Sequence, residues 1–317
     1  MRKVVITGMG TVNPLGCGID AFWKNVQAGK CGISTIDKFD PTEVGVSVAG
    51  IVRDFEPTDY FDKKDVRHME RFTQFAVAAA KQAIDDCGSD MKDLDPYRCG
   101  VIIGCGIGGL EMTEHEHIKY MEKGPNRVSP FFVPMMISNM AAGEISMKTN
   151  FRGDNFATVT ACASSTHAIG EAFRKIKDGY LDACICGGTE STVTEFTIGA
   201  FKTMKALTRE TDPMKASTPF DKNRSGFVLG EGAGVLMLEE YVGTLSERGI
   251  SLRWSEEAVA LIASKAIGGK SGARDIRNTI RRTVEYKITG LLVEKGEGVV
   301  SGIAVVVKDG EIDVESI

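Results

Sequence analysis

Short apolar runs rich in β-branched residues alternate with longer stretches of helical periodicity over roughly the first 240 residues. The runs at 4–7, 99–103, 155–159, 183–186 and 234–238 predict strands, and the stretches at 19–28, 66–87, 141–147 and 164–178 predict helices. Within 66–87, Phe72, Phe75, Ala76, Ala79, Ala80 and Ile84 recur at helical spacing, so one face is apolar and marks core packing rather than a cofactor box. Strands alternating with helices predict an α/β layer fold.

The pattern changes from about residue 244. Ser255-Glu256-Glu257 reads as an N-cap with acidic first-turn residues and opens a short helix to about Ala266. A longer helix is predicted over 273–293, where Ile276, Ile280, Val284, Ile288 and Leu291 make a continuous stripe. The apolar run 299–307 then meets 311–315 across Lys308-Asp309-Gly310, and Asp-Gly is a strong hairpin signal. This tail reads as a small α+β domain. Composition agrees, since the last histidine is His167, the last cysteine Cys186 and the last proline Pro219. Two domains are expected, at 1–243 and 244–317, with no Pro/Gly/Ser-rich linker between Glu240 and Arg248.

Composition excludes several classes of function. A hydrophobic content of 43% with 26% charged residues describes an ordinary soluble protein, and a net charge of −5 gives no reason to expect nucleic-acid binding. Residues 1–10 hold a short apolar strand rather than a signal peptide, and no apolar stretch approaches the ~20 residues that span a bilayer. A cytoplasmic location is expected. The eight cysteines (17, 31, 87, 99, 105, 162, 184 and 186) lack metal-ligand spacing, and those of Cys184-Ile185-Cys186 point to opposite sides of a strand or lie inert in the core. Reduced thiols fit best, and no metal or cofactor is expected.

One cysteine stands apart. Cys162 lies in Ala157-Thr158-Val159-Thr160-Ala161-Cys162-Ala163-Ser164-Ser165, where a β-branched strand, a turn of small residues and a helix from Ser164 put a thiol at a helix N-terminus. The helix dipole there favours a thiolate, small neighbours admit a substrate carbonyl, and backbone N–H groups can face a developing oxyanion. The arrangement is that of a nucleophile elbow. No histidine follows His167 to serve it.

Three other motifs are decoys. Gly104-Cys105-Gly106-Ile107-Gly108-Gly109 follows a strand, but 111–123 is rich in charge and no acidic ribose ligand ends a second strand, which argues against dinucleotide binding. Gly269-Lys270-Ser271 mimics the end of a P-loop, yet the required first glycine falls on Ser264. His115 and His117, set among Glu114 and Glu116, are two apart rather than three or four, and a solvated polar loop is expected there.

Residues 1 to about 241 closely resemble the N-terminal part of an elongating beta-ketoacyl-ACP synthase of the thiolase-like superfamily. The resemblance rests on Val4-Val5-Ile6-Thr7-Gly8-Met9-Gly10, Thr160-Ala161-Cys162-Ala163-Ser164-Ser165, Gly187-Gly188-Thr189-Glu190, and Pro219-Phe220-Asp221 through Arg224 to the run Gly226 to Gly234. It implies a thiolase-like layered fold, N-terminal half only. It further implies that Cys162 takes the acyl chain from acyl-ACP as a thioester for decarboxylative condensation with malonyl-ACP in fatty acid biosynthesis. By the same resemblance Phe201 matches a gating residue at the acyl pocket, Ile107 lies on the loop lining that pocket, and Lys64 and Arg67 match basic positions that meet the acidic acyl carrier protein. The family's later motifs are absent here: there is no His-Gly-Thr-Gly-Thr, no Gly-Phe-Gly-Gly-His-Asn and no following lysine equivalent, and the four histidines (68, 115, 117 and 167) stand in no such motif. Loss of groups that stabilise a developing charge costs ~10²- to 10³-fold each, so impaired condensation is expected.

Residues from about 245 to 315 resemble the C-terminal small domain of a Clp-type AAA+ ATPase, through Glu247-Arg248-Gly249-Ile250, Ser255-Glu256-Glu257-Ala258, Gly272-Ala273-Arg274, Ile276-Arg277 and Arg281-Arg282. Arg274 would then be the counterpart of a nucleotide-sensing arginine, but the chain has no P-loop and no acidic Walker B strand to complete such a site. Three readings follow: an acyl-transfer enzyme, a Clp-type assembly module, or a joined product with neither activity intact. Half of a layered fold leaves faces that the other half would cover, so exposed apolar surface and a homodimer or aggregate are expected.

Overall fold

The computed structural model describes residues 2–88, 91, 94–240, 250–266, 276, 279–295 and 300–317. The chain divides into two units, Met1–Glu240 and Tyr241–Ile317. In the first, β1 (Val4–Asn13) and β2 (Gly16–Cys17) precede α1 (Ile19–Gln27), the short strands β3 (Ser34–Thr35) and β4 (Val48–Ala49), α2 (Lys63–Val66) and α3 (Arg71–Cys87). There follow β5 (Cys99–Gly104), α4 (Leu110–Lys123), α5 (Phe132–Met136), α6 (Met140–Thr149), β6 (Asn155–Thr158), α7 (Ser164–Lys177), β7 (Ala183–Glu190), α8 (Glu195–Thr203) and β8 (Gly232–Glu240).

Six strands form one mixed sheet in the order β2-β1-β8-β7-β5-β6. β5 runs parallel to β6 and β7, whereas β8 is antiparallel to both β7 and β1. Period-two alternation sorts the side chains between two faces. Val101, Ile103, Ile185, Val235 and Met237 pack with α3 and α6, and Ile102, Cys184, Cys186 and Leu238 pack with Ala168, Ala172 and Ile176 of α7. Cys184 and Cys186 therefore share one buried face instead of pointing apart, as residues two apart on a strand must.

The helix expected over 66–87 is split. Glu70 adopts an extended backbone and caps α3 by accepting the Phe72 N–H at 2.9 Å, while the Gln74 amide donates to the carbonyls of Val66 and Met69 at 3.1 and 2.8 Å. These contacts start α3 at Arg71 and leave α2 as a separate turn. The backbone of α3 then lies directly on β1: a Cβ on Gly8 or Gly10 would come within 1.9 Å of the Ala83 or Ala79 carbonyl oxygen. The stretch expected as a polar loop is instead the helix α4, stabilised where buried Glu116 accepts from Lys119 Nζ at 3.0 Å and from the Ser129 N–H at 2.6 Å.

The second unit has β9 (Ser251–Trp254), α9 (Glu256–Ala266), a π-turn (Arg281–Glu285), α10 (Tyr286–Lys295), β10 (Gly302–Lys308) and β11 (Glu311–Ser316). Its strands order as β11-β10-β9, with β9 parallel to β10. Ser255 Oγ accepts the Ala258 N–H at 3.1 Å, the N-cap that opens α9. Asp309 and Gly310 have φ of 50° and 78°, the mirror-turn geometry that Asp-Gly favours, and Lys308 faces Glu311 across the hairpin. Ile280, Val284, Ile288 and Leu291 of the expected stripe pack in this unit's core, whereas Ile276 is exposed. The junction at 243/244, Glu247 to Gly249, Gly269 to Ser271, Gly272 to Arg274, Arg277 and the start of the helix expected over 273–293 lie outside the described residues, as do the side chains of Arg281 and Arg282.

Candidate active site

Cys162 sits where β6 turns into α7. The chain leaves β6 at Thr158, Ala161 takes φ of 51°, and Ala161 to Ala163 make a single 3₁₀ turn before α7 starts at Ser164. A non-glycine residue at positive φ is strained and persists only where its surroundings hold it. Here they do: Ser164 Oγ donates to the Ala161 carbonyl at 2.7 Å and accepts the Thr160 N–H at 2.9 Å, and Thr158 Oγ1 donates to the Ser164 carbonyl at 2.7 Å. Glycines let α7 come this close to the sheet. A Cβ on Gly104 would lie 2.3 Å from the Ser164 carbonyl carbon, and one on Gly188 would lie 1.8 Å from Ser165 Oγ.

Exposure singles out the thiol. All eight cysteines are free, but only Cys31 and Cys162 are exposed. Burial pushes the thiols of Cys99 and Cys186 up to about 12, and those of Cys105 and Cys184 up as well. Those four are poor nucleophiles. Cys31 sits in a surface loop with its sulfur 3.5 Å from the Pro213 carbonyl. Cys162 alone combines exposure with a helix N-terminus that carries no side-chain cap. His167, one turn into α7, is hydrogen-bonded through Nδ1 to Thr160 Oγ1 at 2.8 Å. His68 lies elsewhere, stacked on Phe131 at 4.1 Å, and His115 and His117 are exposed on α4.

The glycine loop after β5 abuts this turn. A Cβ on Gly106 would be 3.6 Å from the Ala161 carbonyl oxygen, so the loop carrying Ile107, whose side chain is 41% exposed, lies beside the elbow. Its amides converge on Glu190 at the end of β7: Gly106, Ile107 and Gly108 donate to that carboxylate at 2.8, 3.1 and 3.2 Å. Such a concave set of N–H groups is what a dinucleotide pyrophosphate would need, and an internal carboxylate already occupies it. Burial raises the Glu190 carboxyl above its ordinary range, with the three N–H groups opposing the shift. Glu190 was visible in the sequence only as the end of a glycine-rich motif. The signal that could have exposed its role is an acid closing a strand opposite a loop with several free amides.

The loops that carry Ile107 and Cys162 thus adjoin at Gly106 and Ala161. Phe201 on α8 is half-buried in a separate cluster with Val44, Ile198 and Leu207, its ring edge-on to Phe227 at 5.6 Å. Lys64 in α2 and Arg67 just after it are exposed, and Asp65 between them pairs with Lys148 at 2.6 Å. A pocket of about 510 Å³ opens beside α2, lined by Tyr60, Phe61, Ile84, Ile145 and Lys148 among others, but by no residue of the Cys162 turn. Among the described residues there is no cluster of metal-ligating side chains, and no helix long and apolar enough to cross a membrane.

The family model described as "Beta-ketoacyl synthase, N-terminal domain" matches residues 1–242, and that described as "C-terminal, D2-small domain, of ClpB protein" matches residues 235–305. The chain is 44% identical over 246 residues to the 3-oxoacyl-(acyl-carrier-protein) synthase 2 of Synechocystis sp., covering 77% of this chain and 59% of that protein. It is 47% identical over 241 residues to the protein of the same name from Vibrio harveyi, covering 76% and 58%. Among solved structures, a beta-ketoacyl synthase from Burkholderia phymatum STM815 superposes with a TM-score of 0.70 at 30% identity, covering 78% of this chain and 61% of that one. The chain therefore spans about three fifths of the length of the curated relatives it matches.

Proposed function

The chain belongs, through residues 1–242, to the beta-ketoacyl synthase family, and from that premise we propose that Cys162 accepts an acyl chain from acyl carrier protein as the first half of a 3-oxoacyl-ACP synthase reaction in fatty acid biosynthesis. The observation that carries this reading is the exposed thiol on a strained turn at the uncapped start of α7. In the transfer, the Cys162 thiolate attacks the thioester carbonyl and forms a new carbon–sulfur bond. The carrier's carbon–sulfur bond breaks, and the departing thiolate takes up a proton. First-turn N–H groups of α7 supply positive potential for the oxyanion.

Ile107 lines the acyl cavity from the glycine loop, Phe201 gates it from α8, and Lys64 and Arg67 contact the acidic carrier. No cofactor or metal takes part. The second half of the reaction, decarboxylation of malonyl-ACP and condensation, is slow or absent in this chain, because none of its four histidines stands in a motif that would hold the enolate. We further propose a domain boundary at 243/244, a homodimer, and a soluble cytoplasmic protein.

The test is the intact mass of purified chain after incubation with acyl-ACP, with Cys162→Ser as control and malonyl-ACP added second. The expected result is a thioester adduct on wild type, absent from the serine variant, and little or no 3-oxoacyl product. No adduct would overturn the acyl-acceptor reading, and ready product release would overturn the claim of impaired condensation. A second reading, that the tail is a Clp-type assembly module, is favoured by the ClpB small-domain match alone. It is tested by sedimentation of the chain with and without residues 244–317.

A further inference from the structure

Glu190 closes the motif Gly187-Gly188-Thr189-Glu190, and nothing in the acyl transfer described above uses it. Its position is built rather than incidental. One oxygen, Oε2, takes the N–H groups of Gly106 and Ile107 at 2.8 and 3.1 Å, and the other, Oε1, takes that of Gly108 at 3.2 Å and faces Cys105 Sγ at 3.6 Å. Gly106 leaves room for this approach, since a Cβ there would stand 3.0 Å from Oε2. The loop is held on its other flank as well. Gly109 N–H donates to the Met136 carbonyl at 2.9 Å, and Gly108, at φ of 85°, lies so close to the 136–138 backbone that a Cβ would meet the Met136 oxygen at 2.9 Å. Cys105 N–H donates to the Thr158 carbonyl at 3.1 Å, which ties the loop's first residue to the strand leading into the Cys162 turn.

Three successive N–H donors converge on this one side chain, and a donor shielded from water would cost its desolvation if left unpaired. One half-buried carboxylate satisfies all three and so selects a single loop conformation. That conformation sets Gly106 against Ala161 of the elbow, with Ile107 next in the chain. We propose that Glu190 is a positioning residue for Cys162 chemistry: by holding the 104–109 loop it fixes Ile107 and thereby sets the length of alkyl chain that Cys162 admits. The role rests on Cys162 and Ile107 acting as described above. It acts through the loop, so Glu190 touches no reacting atom.

Glu190→Gln separates charge and acceptor count from shape, because the amide keeps one acceptor oxygen and turns an NH₂ toward the remaining N–H groups. The reagents are short- and long-tailed alkyl iodoacetamides, scored by intact mass at Cys162, followed by short- and long-chain acyl-ACP. The expected result is a short-reagent rate near wild type and a ratio of long- to short-chain modification changed by about tenfold, which is ~1.4 kcal/mol of relative barrier. Ile107→Ala should move the same ratio, and the double variant should add little to either single one, the signature of one shared element. Gly106→Ala, which disturbs the same contact from the loop side, guards against a variant that fails to fold.

A wild-type length ratio in both Glu190→Gln and Gly106→Ala would overturn the proposal. So would equal loss of short and long modification, which marks a merely structural residue. The alkyl reagents need no carrier protein, so a chain that shows the length effect with them but takes no acyl group from acyl-ACP would sustain the role of Glu190 while overturning the acyl-acceptor reading.

Discussion

Glu70 is only 6% exposed and caps α3 with its carboxylate. Burial pushes it from an ordinary 4.5 up to about 8, with the charges of Glu111 and Glu190 adding to the shift and the Phe72 N–H opposing it. A carboxyl raised in this way binds its proton more tightly in the folded chain than in the unfolded one. Its stabilising contribution is therefore full below the ordinary carboxyl range and is lost as the pH rises through about 8. Urea unfolding of wild type should show stability falling over that interval, by at most roughly 5 kcal/mol from this group. Glu70→Gln keeps an acceptor for the Phe72 N–H and removes the titration, so it should flatten the slope and raise stability at alkaline pH. An unchanged slope in the variant would show that Glu70 is ionised without penalty. Residues of this kind mark the limit of reading a sequence. Cys162 and Asp309-Gly310 were legible because turn, helix start and hairpin are local in the chain. Glu190 was not, because the amides it serves lie more than 80 residues away.

At the scale of elements, the Cys162 turn depends on how closely α7 approaches β5. Gly104→Ala would drive a methyl group into the Ser164 carbonyl, which is backbone and cannot swing aside. Gly234 on β8 has nothing within 4 Å of the corresponding point. Gly104→Ala should therefore cost about 1–3 kcal/mol or more, while Gly234→Ala should stay within about 0.5 kcal/mol. Denaturant midpoints check both, and Gly104→Ala should also slow Cys162 labelling by shifting the turn. The strand and helix positions around this contact followed from periodicity, since buried faces impose it. The break between α2 and α3 did not, because it is decided by the side-chain contacts of Glu70 and Gln74. Nor did α4, whose dense charge hid a helix that buries Glu116 against the Ser129 amide.

At the scale of the whole molecule, the buried clusters separate by sequence. Three clusters draw on residues between Val4 and Leu238, and those around Val305 and Ile303 draw on residues between Ile250 and Val314. The sheet order did not follow from sequence, because β8 inserts between β1 and β7 from far along the chain. A unit of 77 residues (Tyr241–Ile317) would be stable by roughly 4–12 kcal/mol. Ile303 is fully buried there, and Ile303→Ala should cost about 2–5 kcal/mol, a large share of that total. If each core sustains its own unit, calorimetry of the variant should show one transition moved down by many degrees and the other in place. Alkylation of Cys162 should then proceed at the wild-type rate, since its turn is held by Ser164, Thr158 and the glycines of β5 and β7. A single transition that shifts as a whole, with Cys162 labelling altered in step, would mean that the two cores fold only together.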